Sequence, residues 1–158
     1  MGYGDYLLYS EKIAKLVEMD AHFITWGPVL EGQPGHFIGC DNVTGAYLMT
    51  KHLIDLGYKK IAFLGGVSEQ APEFQARYQG YVKALLEAKL IVNPNLQIDA
   101  ETSEAAGYQA ANTLLSAKYR FDAVFGASDL ISIGAVRALR EKQPVSYTHL
   151  TLPTILLV

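Results

Sequence analysis

The stretch between Asp41 and Gly66 restricts the fold of this chain more than any other part of the sequence. After a capping position at Asp41 or Asn42, apolar and small residues recur at intervals of three and four, which predicts a helix with one buried face. Gly57 follows the last of them, where a glycine can end a helix in the left-handed conformation. Ile61–Leu64 is then continuously apolar, as expected for a strand that is covered on both faces. A helix followed at once by a buried strand indicates part of a βαβ unit.

The rest of the chain continues this alternation of strands and helices. The other predicted strands are 21–26, 36–40, 96–98 and 123–127, and the other predicted helices are 11–19, 72–88, 104–115 and 130–140. Pro72 and Ser103 are placed to begin two of the helices. Gly80 falls inside a helix, where a glycine costs about 1 kcal/mol against alanine, so we expect close packing there. Four strand-then-helix units in succession predict an α/β fold, with a mostly parallel sheet, helices on both faces and right-handed crossovers.

Composition narrows the classes of protein that this sequence can encode. The chain has 158 residues, of which 50% are hydrophobic, and a net charge of -3, which favours a globular protein and argues against a nucleic-acid-binding surface within these residues. Its apolar runs are too short to span a bilayer, so we expect no membrane association. Cys40 is the single cysteine and cannot form an internal disulfide, and residues 1–10 show no secretion leader, so we expect a cytoplasmic protein.

Three short motifs occur in a fixed order along the chain. The first is Asp-Asn-x-x-Gly-Ala from Asp41, followed by Leu-Gly-Tyr and the buried strand. The second is Arg-x-x-Gly-Tyr from Arg77, and the third joins the strand that begins at Phe121 to Ser128-Asp129 and a helix. Their order and spacing resemble the second subdomain of the LacI/GalR family of bacterial transcriptional regulators, over residues 22–142. The resemblance implies a periplasmic-binding-protein-like type I fold that is incomplete at both ends.

The resemblance also implies a division of the chain. Residues 1–40 are expected to be a remnant of the first, N-terminal effector-binding subdomain, and residues 41–144 the second subdomain without its last strand. Residues 145–158 depart from the family pattern, and the first ten of them, 145–154, resemble one reading frame of a transposase adapter used in library construction. We therefore expect a non-native tail there; the alternative is an unusual strand over 150–158.

In the LacI/GalR family this domain senses a small-molecule effector, and the resemblance implies that function here, with a sugar as the expected effector. Ligand in a cleft between two subdomains favours one hinge arrangement and so changes operator affinity. Contact with operator DNA is expected only through an N-terminal helix-turn-helix that is missing from this sequence, and the full-length protein is expected to be a homodimer. The alternative function is a periplasmic sugar-binding protein of an ABC transporter, which shares the fold.

Candidate ligand contacts follow from the position of binding sites in α/β proteins. Ligands of open α/β sheets bind beyond the carboxyl ends of the strands, and a sugar needs polar groups for its hydroxyls and an aromatic face for its C–H surface. The candidates selected in this way are Thr25, Trp26, Phe74, Arg77, Ser128 and Asp129. The resemblance assigns effector contacts to Arg77 and Ser128. The alternatives are a solvated helix arginine for Arg77, a helix cap for Asp129, and a core or interface role for Trp26.

The sequence contains no pattern typical of an enzyme. Gly126-Ala127-Ser128 lies between a strand and a helix like a G-x-S-x-G nucleophile elbow, but Leu130 takes the place of the second glycine, and the only downstream histidine is His149. The other three histidines lack metal-ligand spacing, and Gly65-Gly66 lacks the third glycine of a dinucleotide site. We therefore expect no catalytic residue, no metal and no cofactor.

Overall fold

The computed structural model describes residues 6–27, 29, 31–68, 71–117 and 119–142. Its elements, in chain order, are α1 (Tyr6–Glu18), β1 (Thr25–Trp26), β2 (Phe37–Ile38), α2 (Asn42–Asp55), β3 (Ile61–Leu64), α3 (Pro72–Glu87), a 3-10 turn (Pro94–Leu96), β4 (Gln97–Ile98), α4 (Glu104–Ser116), β5 (Ala123–Gly126) and α5 (Asp129–Lys142). The two predictions for residues 145–158, a non-native tail or a strand, fall outside the described residues.

The described strands form two sheets, and every described pair of strands is parallel. The larger sheet has the order β4-β3-β5, with Ile61 opposite Ala123 on one side of β3 and Phe63 opposite Gln97 on the other. β1 and β2 pair separately. The predicted α/β class is confirmed, and the successive strand-then-helix units are divided between two sheets.

The two faces of the larger sheet are covered by different helix pairs. Phe63 of β3 contacts the ring of Tyr81 on α3, at a centroid distance of 5.4 Å. Because successive strand residues alternate between faces, Leu64 points to the opposite face, where its register partner Gly126 lies against Ser132 of α5. α3 with its partner α2 therefore covers one face, and α5 with its partner α4 covers the other. All four residues of β3 are buried between these layers, as predicted for a central strand.

Four helix boundaries lie where local sequence signals predicted them, whereas α1 begins at Tyr6 instead of at the predicted position 11. The Asp41 carboxylate accepts a hydrogen bond from the Thr44 N–H at 2.9 Å and so caps α2. Gly57, with a φ of 96°, ends that helix in the left-handed conformation. Pro72 is the first residue of α3, and the Ser103 hydroxyl caps α4. At each of these positions the type of residue is enough to predict where the helix begins or ends.

The first two strands are shorter than predicted. The sequence predicted strands over 21–26 and 36–40, whereas β1 and β2 have two residues each. Apolar side chains in and beside them are largely exposed, with 67% of Trp26 and 54% of Ile38 accessible to solvent. An apolar run forms a long strand only where a neighbour pairs along its length, and in the described part of the chain β1 and β2 pair with each other alone.

α2 and α3 are held together by three side chains and by a backbone contact at a glycine, an arrangement that we call the tyrosine–glycine lock. The hydroxyl of Tyr47 on α2 donates a hydrogen bond to the Glu87 carboxylate on α3 at 2.7 Å, and Lys83 Nζ lies 5.0 Å from the centre of the same ring. Gly80 lies against the backbone of α2, because a Cβ atom at this position would be 2.1 Å from Val43 O. The close packing predicted at Gly80 is confirmed.

α4 and α5 are joined by a second tyrosine–glycine lock on the opposite face of the sheet. The Tyr108 hydroxyl donates a hydrogen bond to Glu141 at 2.6 Å, and Arg137 Cζ lies 5.1 Å from the Tyr108 ring centre. A Cβ atom at Gly134 would be 2.0 Å from Glu104 O. In both locks a cation follows the glycine at the third position and a glutamate follows it at the seventh. The same spacing of glycine, cation and glutamate therefore joins the two helices on each face of the sheet.

Candidate functional site

The carboxyl ends of β3, β4 and β5 lie at one edge of the larger sheet. The Gly65 N–H donates a hydrogen bond to Ile98 O at 3.0 Å, and the Ala127 N–H donates one to Leu64 O at 2.8 Å, so the hydrogen bonding continues just beyond the strands. The chain then leaves this edge towards the N-termini of α3, α4 and α5. Because ligands of parallel sheets bind at this edge, the residues that project here form the candidate site.

Arg77 is fixed at this edge by contacts with two other elements. Its Nε donates a hydrogen bond at 2.9 Å to Oδ1 of Asn42, the first residue of α2. Its Nη1 donates to the carbonyl oxygen of Ala127, the residue after β5. The side chain is half-buried, so the alternative of a solvated helix arginine does not describe it. Two of its five N–H groups are used in this way, which leaves up to three for a ligand.

Ser128 and Asp129 follow Ala127 and begin α5. Ser128 is half-buried, and its hydroxyl accepts a long hydrogen bond of 3.4 Å from the Ile131 N–H, in the manner of a helix cap. Asp129 is exposed and is the first residue of the helix, where the helix dipole favours a carboxylate. Ser128 rather than Asp129 therefore occupies the capping position. Both lie within two residues of the carbonyl group that holds Arg77.

Phe74 lies beside the guanidinium group of Arg77. The Cζ atom of Arg77 is 5.4 Å from the centre of the Phe74 ring, a cation–π distance. The ring is 6% exposed and belongs to the core, so most of its surface already contacts protein atoms. In this arrangement the ring supports Arg77, and its role as an aromatic face for a sugar stays a prediction.

Glu73 is a buried carboxyl group at the N-terminus of α3. Only 8% of the residue is exposed, and its Oε2 atom has no hydrogen-bond partner among the described residues. Burial raises the pKa of Glu73, because the ionised form loses its hydration, and the positive charge of Arg77 opposes this shift. A buried acceptor without a donor destabilises a ligand-free fold, so Glu73 is an unusual residue for this position.

Glu73→Gln is expected to stabilise the ligand-free chain at neutral pH by about 1 kcal/mol, because an amide has no charge to desolvate. The pKa of Glu73 is higher in the folded chain than its unfolded value of about 4.3. Glu73 therefore binds more protons in the folded chain than in the unfolded chain, and its contribution to the wild-type free energy of unfolding falls as pH rises through the interval above about 4.3. The advantage of the variant should appear above this interval and vanish below it. Urea unfolding of the wild type and the variant as a function of pH measures the difference in their free energies of unfolding. A difference that is the same at every pH would contradict the expectation.

Thr25 and Trp26 form β1 in the smaller sheet, whereas Arg77 lies at the edge of the larger one. The Thr25 N–H donates a hydrogen bond to His36 O at 2.9 Å, so the backbone of this segment is used in strand pairing. The large exposure of Trp26 argues against a core role for its ring. Of the candidates named from the sequence, the structure thus brings together four, which are Phe74, Arg77, Ser128 and Asp129, and places the other two in β1.

Asn42 and Glu73 lie at this edge, and the sequence did not indicate either as part of a site. For Asn42 the sequence predicts only one role, that of capping α2 in place of Asp41. Its Nδ2 donates a hydrogen bond to Cys40 O at 3.3 Å, while its Oδ1 accepts the bond from Arg77. The sequence does contain one signal for Asn42, which is its position next to Asp41. A helix needs only one capping side chain, so the side chain of Asn42 is left to bind another partner. Glu73 carries no comparable signal, since an acidic residue in a first helical turn is usually exposed.

The part of the chain that the structure describes contains neither a metal site nor a membrane-spanning helix. Within those ranges, no group of three or more His, Cys, Asp or Glu side chains could hold a metal ion. No described helix is both long and apolar enough to cross a bilayer. Cys40 is exposed and is not in a disulfide. The edge around Arg77 is therefore the site on which a functional interpretation can be based.

Comparison with known protein families identifies the type of domain. Residues 50–143 match the family described as a periplasmic binding protein-like domain. The matched range covers more than half of the chain and contains the end of α2 and the whole of β3, α3, β4, α4, β5 and α5. It also contains four of the candidate residues, including Arg77 and Ser128.

The similar proteins of known function or structure are transcriptional regulators. The chain is 35% identical over 136 residues to the HTH-type transcriptional repressor PurR of Haemophilus influenzae, over 86% of this chain and 38% of that protein. It resembles the solved structure of the transcription regulator CcpA of Lactococcus lactis, with 30% identity and a TM-score of 0.70, over 84% of this chain and 48% of that one. A sugar-binding transcriptional regulator of the LacI family from Escherichia coli gives 27% identity and a TM-score of 0.69, over 82% and 48%. The chain thus spans less than half the length of these regulators, and regulators of this kind are not enzymes.

Proposed function

This chain belongs to the LacI/GalR family of transcriptional regulators, and from that membership we propose that it is the effector-sensing core of a bacterial DNA-binding regulator whose effector is a sugar. The observation that carries the proposal is the position of Arg77. Asn42 and Ala127 hold its guanidinium group at the carboxyl edge of a parallel sheet, with up to three donors left for a ligand. A preorganised fork of donors in a half-buried site suits the oxygens of a polyol.

The proposed ligand contacts come from two parts of the chain. Arg77, Ser128 and Asp129 would bind the hydroxyl groups, with Phe74 behind the guanidinium group. Thr25 and Trp26 would approach from the other subdomain, where the exposed indole ring offers a face for the C–H surface of the sugar. We assign residues 1–40 to the first subdomain and 41–144 to the second, and the separate pairing of β1 with β2 supports this division. Ligand in the cleft would then favour one hinge arrangement.

The remaining parts of the proposal concern the whole regulator. Its relatives include HTH-type repressors, of which this chain spans 38%, so contact with operator DNA would reside in a module beyond these residues. The net charge of -3 supports that assignment, because phosphate binding requires a basic surface. We propose a cytoplasmic homodimer that performs no catalysis. The alternative of a periplasmic transport protein is not favoured, because the similar proteins are transcriptional repressors and regulators.

A ligand panel tests the proposal directly. The chain would be titrated by calorimetry, and melted, in the presence of aldopentoses, aldohexoses and disaccharides, with nucleobases and sugar phosphates as competing classes. One sugar should bind, and at a concentration about a hundredfold above its Kd it should stabilise the fold by about 2.7 kcal/mol. In the full-length regulator the same sugar should change operator affinity. Binding of a nucleobase but of no sugar would show that the effector class is wrong.

A further inference from the structure

Glu73 is a buried residue with a carboxylate oxygen that has no described hydrogen-bond partner. Its carboxyl group is more than nine-tenths buried, and in the described part of the chain Oε2 accepts no hydrogen bond. Arg77 does not satisfy it: the described ion pairs within 4.0 Å are Lys51–Asp55 and Arg137–Glu141. A buried acceptor of this kind persists where a donor arrives from outside the chain, since an unmade hydrogen bond is otherwise a continuing loss of stability.

The position of Glu73 shows where that donor would come from. Glu73 is the second residue of α3 and precedes Arg77 by one helical turn, so the two side chains leave the same face of the helix. Side chains on a helix lean towards its N-terminus, and the N-terminus of α3 faces the carboxyl edge of the sheet, where Arg77 contacts Ala127. The charge of Arg77 also acts on the carboxyl group of Glu73 and opposes the rise in its pKa. The two groups therefore share one environment at the ligand edge.

We propose that Glu73 is an effector-binding residue, whose buried carboxylate accepts a hydrogen bond from a hydroxyl group of the ligand beside the oxygen to which Arg77 donates. The inference rests on the proposed function and narrows the class of effector. A hydroxyl group can accept from Arg77 and donate to Glu73, either through one oxygen or through two neighbouring ones. A carboxylate or phosphate cannot donate, and it would be repelled by Glu73. The site therefore selects a neutral sugar with free hydroxyl groups over a sugar acid or a sugar phosphate.

The test combines a change in the protein with a change in the ligand. The probe is the sugar from the panel that binds the wild type most tightly, together with its set of single O-methyl ethers, which keep each oxygen as an acceptor but remove its proton. Glu73→Met keeps the length of the side chain and removes the acceptor. We expect its Kd for the probe sugar to rise by about ten- to a hundredfold, and Glu73→Gln, which keeps a neutral acceptor, to show a smaller rise. One of the methyl ethers should lack the hydroxyl proton that Glu73 accepts. The wild type should bind this ether about as weakly as Glu73→Met binds the parent sugar. Glu73→Met should bind the same ether almost as well as the wild type does, because the hydrogen bond is already absent.

The controls separate failure of this inference from failure of the proposed function. Glu104→Gln is the matched variant, because Glu104 is an exposed acidic residue in the first turn of α4, and its Kd should equal that of the wild type. Circular dichroism establishes that each variant is folded, and the ether series on the wild type requires no variant. An unchanged Kd in Glu73→Met, or equal binding of all the ethers, would overturn the role of Glu73 while leaving the sugar proposal intact. If no sugar binds the wild type, both proposals fall together.

Discussion

Arg77→Ala is expected to weaken effector binding by about ten- to a hundredfold and to destabilise the fold at the same time. The loss of affinity follows from the removal of charge-assisted donors in a half-buried site, where water replaces them poorly. In the full-length regulator the variant should lose its response to effector and keep its operator binding, provided that it is folded. This is the largest functional effect that we expect from a single substitution.

The loss of stability follows from the contacts that Arg77 makes within the chain. Alanine leaves Asn42 Oδ1 and the Ala127 carbonyl group without their donor, which is expected to cost about 1–3 kcal/mol if water does not replace it. Arg77→Lys separates the two tasks. Lysine keeps the charge but is a single point donor, so it cannot hold Asn42, Ala127 and a ligand at once. We expect it to retain more stability than alanine while losing most of the effector affinity.

Calorimetry with the probe sugar and urea unfolding together test this expectation, at a temperature where both variants are folded. Arg140→Ala is the matched control, because Arg140 is an exposed arginine on α5 and its loss should leave affinity unchanged. An Arg77→Ala variant that binds the effector with wild-type affinity would assign Arg77 a purely structural role between α2, α3 and β5.

Gly134→Ala and Gly80→Ala are expected to lower the free energy of unfolding by at least about 2 kcal/mol each, because both overpack a helix contact. The added Cβ atom would meet backbone rather than a side chain end: at 2.0 Å from Glu104 O for Gly134, and at 2.1 Å from Val43 O for Gly80. Backbone atoms cannot rotate away, so the helices must separate. The separation would also pull Tyr108 from Glu141, or Tyr47 from Glu87. The sign of the change in the free energy of unfolding is informative, since helix propensity alone predicts that alanine stabilises a helix by about 1 kcal/mol relative to glycine.

Urea unfolding of the single variants and of the double variant measures this effect. Gly66→Ala is a suitable control, because a Cβ atom at Gly66 would have no neighbour within 4 Å. The two helix layers lie on opposite faces of the sheet, so the two losses should add. Stabilisation by either substitution would mean that propensity outweighs the contact and that the helices can move apart freely.

Local signals in the sequence predicted the helices better than the strands. Asp41, Gly57, Pro72 and Ser103 each act on the backbone within four residues, so their effects can be predicted without knowledge of the fold. The apolar run at 21–26 instead depends on a partner strand that the sequence does not specify, and only Thr25–Trp26 pairs. The length of a strand is thus a property of the sheet, whereas the end of a helix is a property of the chain around it.

The candidate site shows the same division between local and distant causes. The motif that begins at Arg77 indicated the residue, but its anchors are 35 and 50 positions away in sequence, at Asn42 and Ala127. No local pattern predicts which polar atom a folded chain will bring to an arginine. The burial of Glu73 likewise could not be predicted from the sequence, because it depends on which parts of the folded chain cover the first turn of α3.

The tyrosine–glycine lock finally explains how one way of packing helices serves both faces of the larger sheet. Each lock joins the helix before a strand to the helix after it, as α2-β3-α3 in one case and as α4-β5-α5 in the other. The order of tyrosine, glycine, cation and glutamate is the same in both, so the two helix pairs pack through the same set of contacts. Rotating a parallel sheet by half a turn about an axis along its strands exchanges its two faces, and the strands keep their direction. The same helix–strand–helix arrangement can therefore cover either face of the sheet without any new way of packing helices.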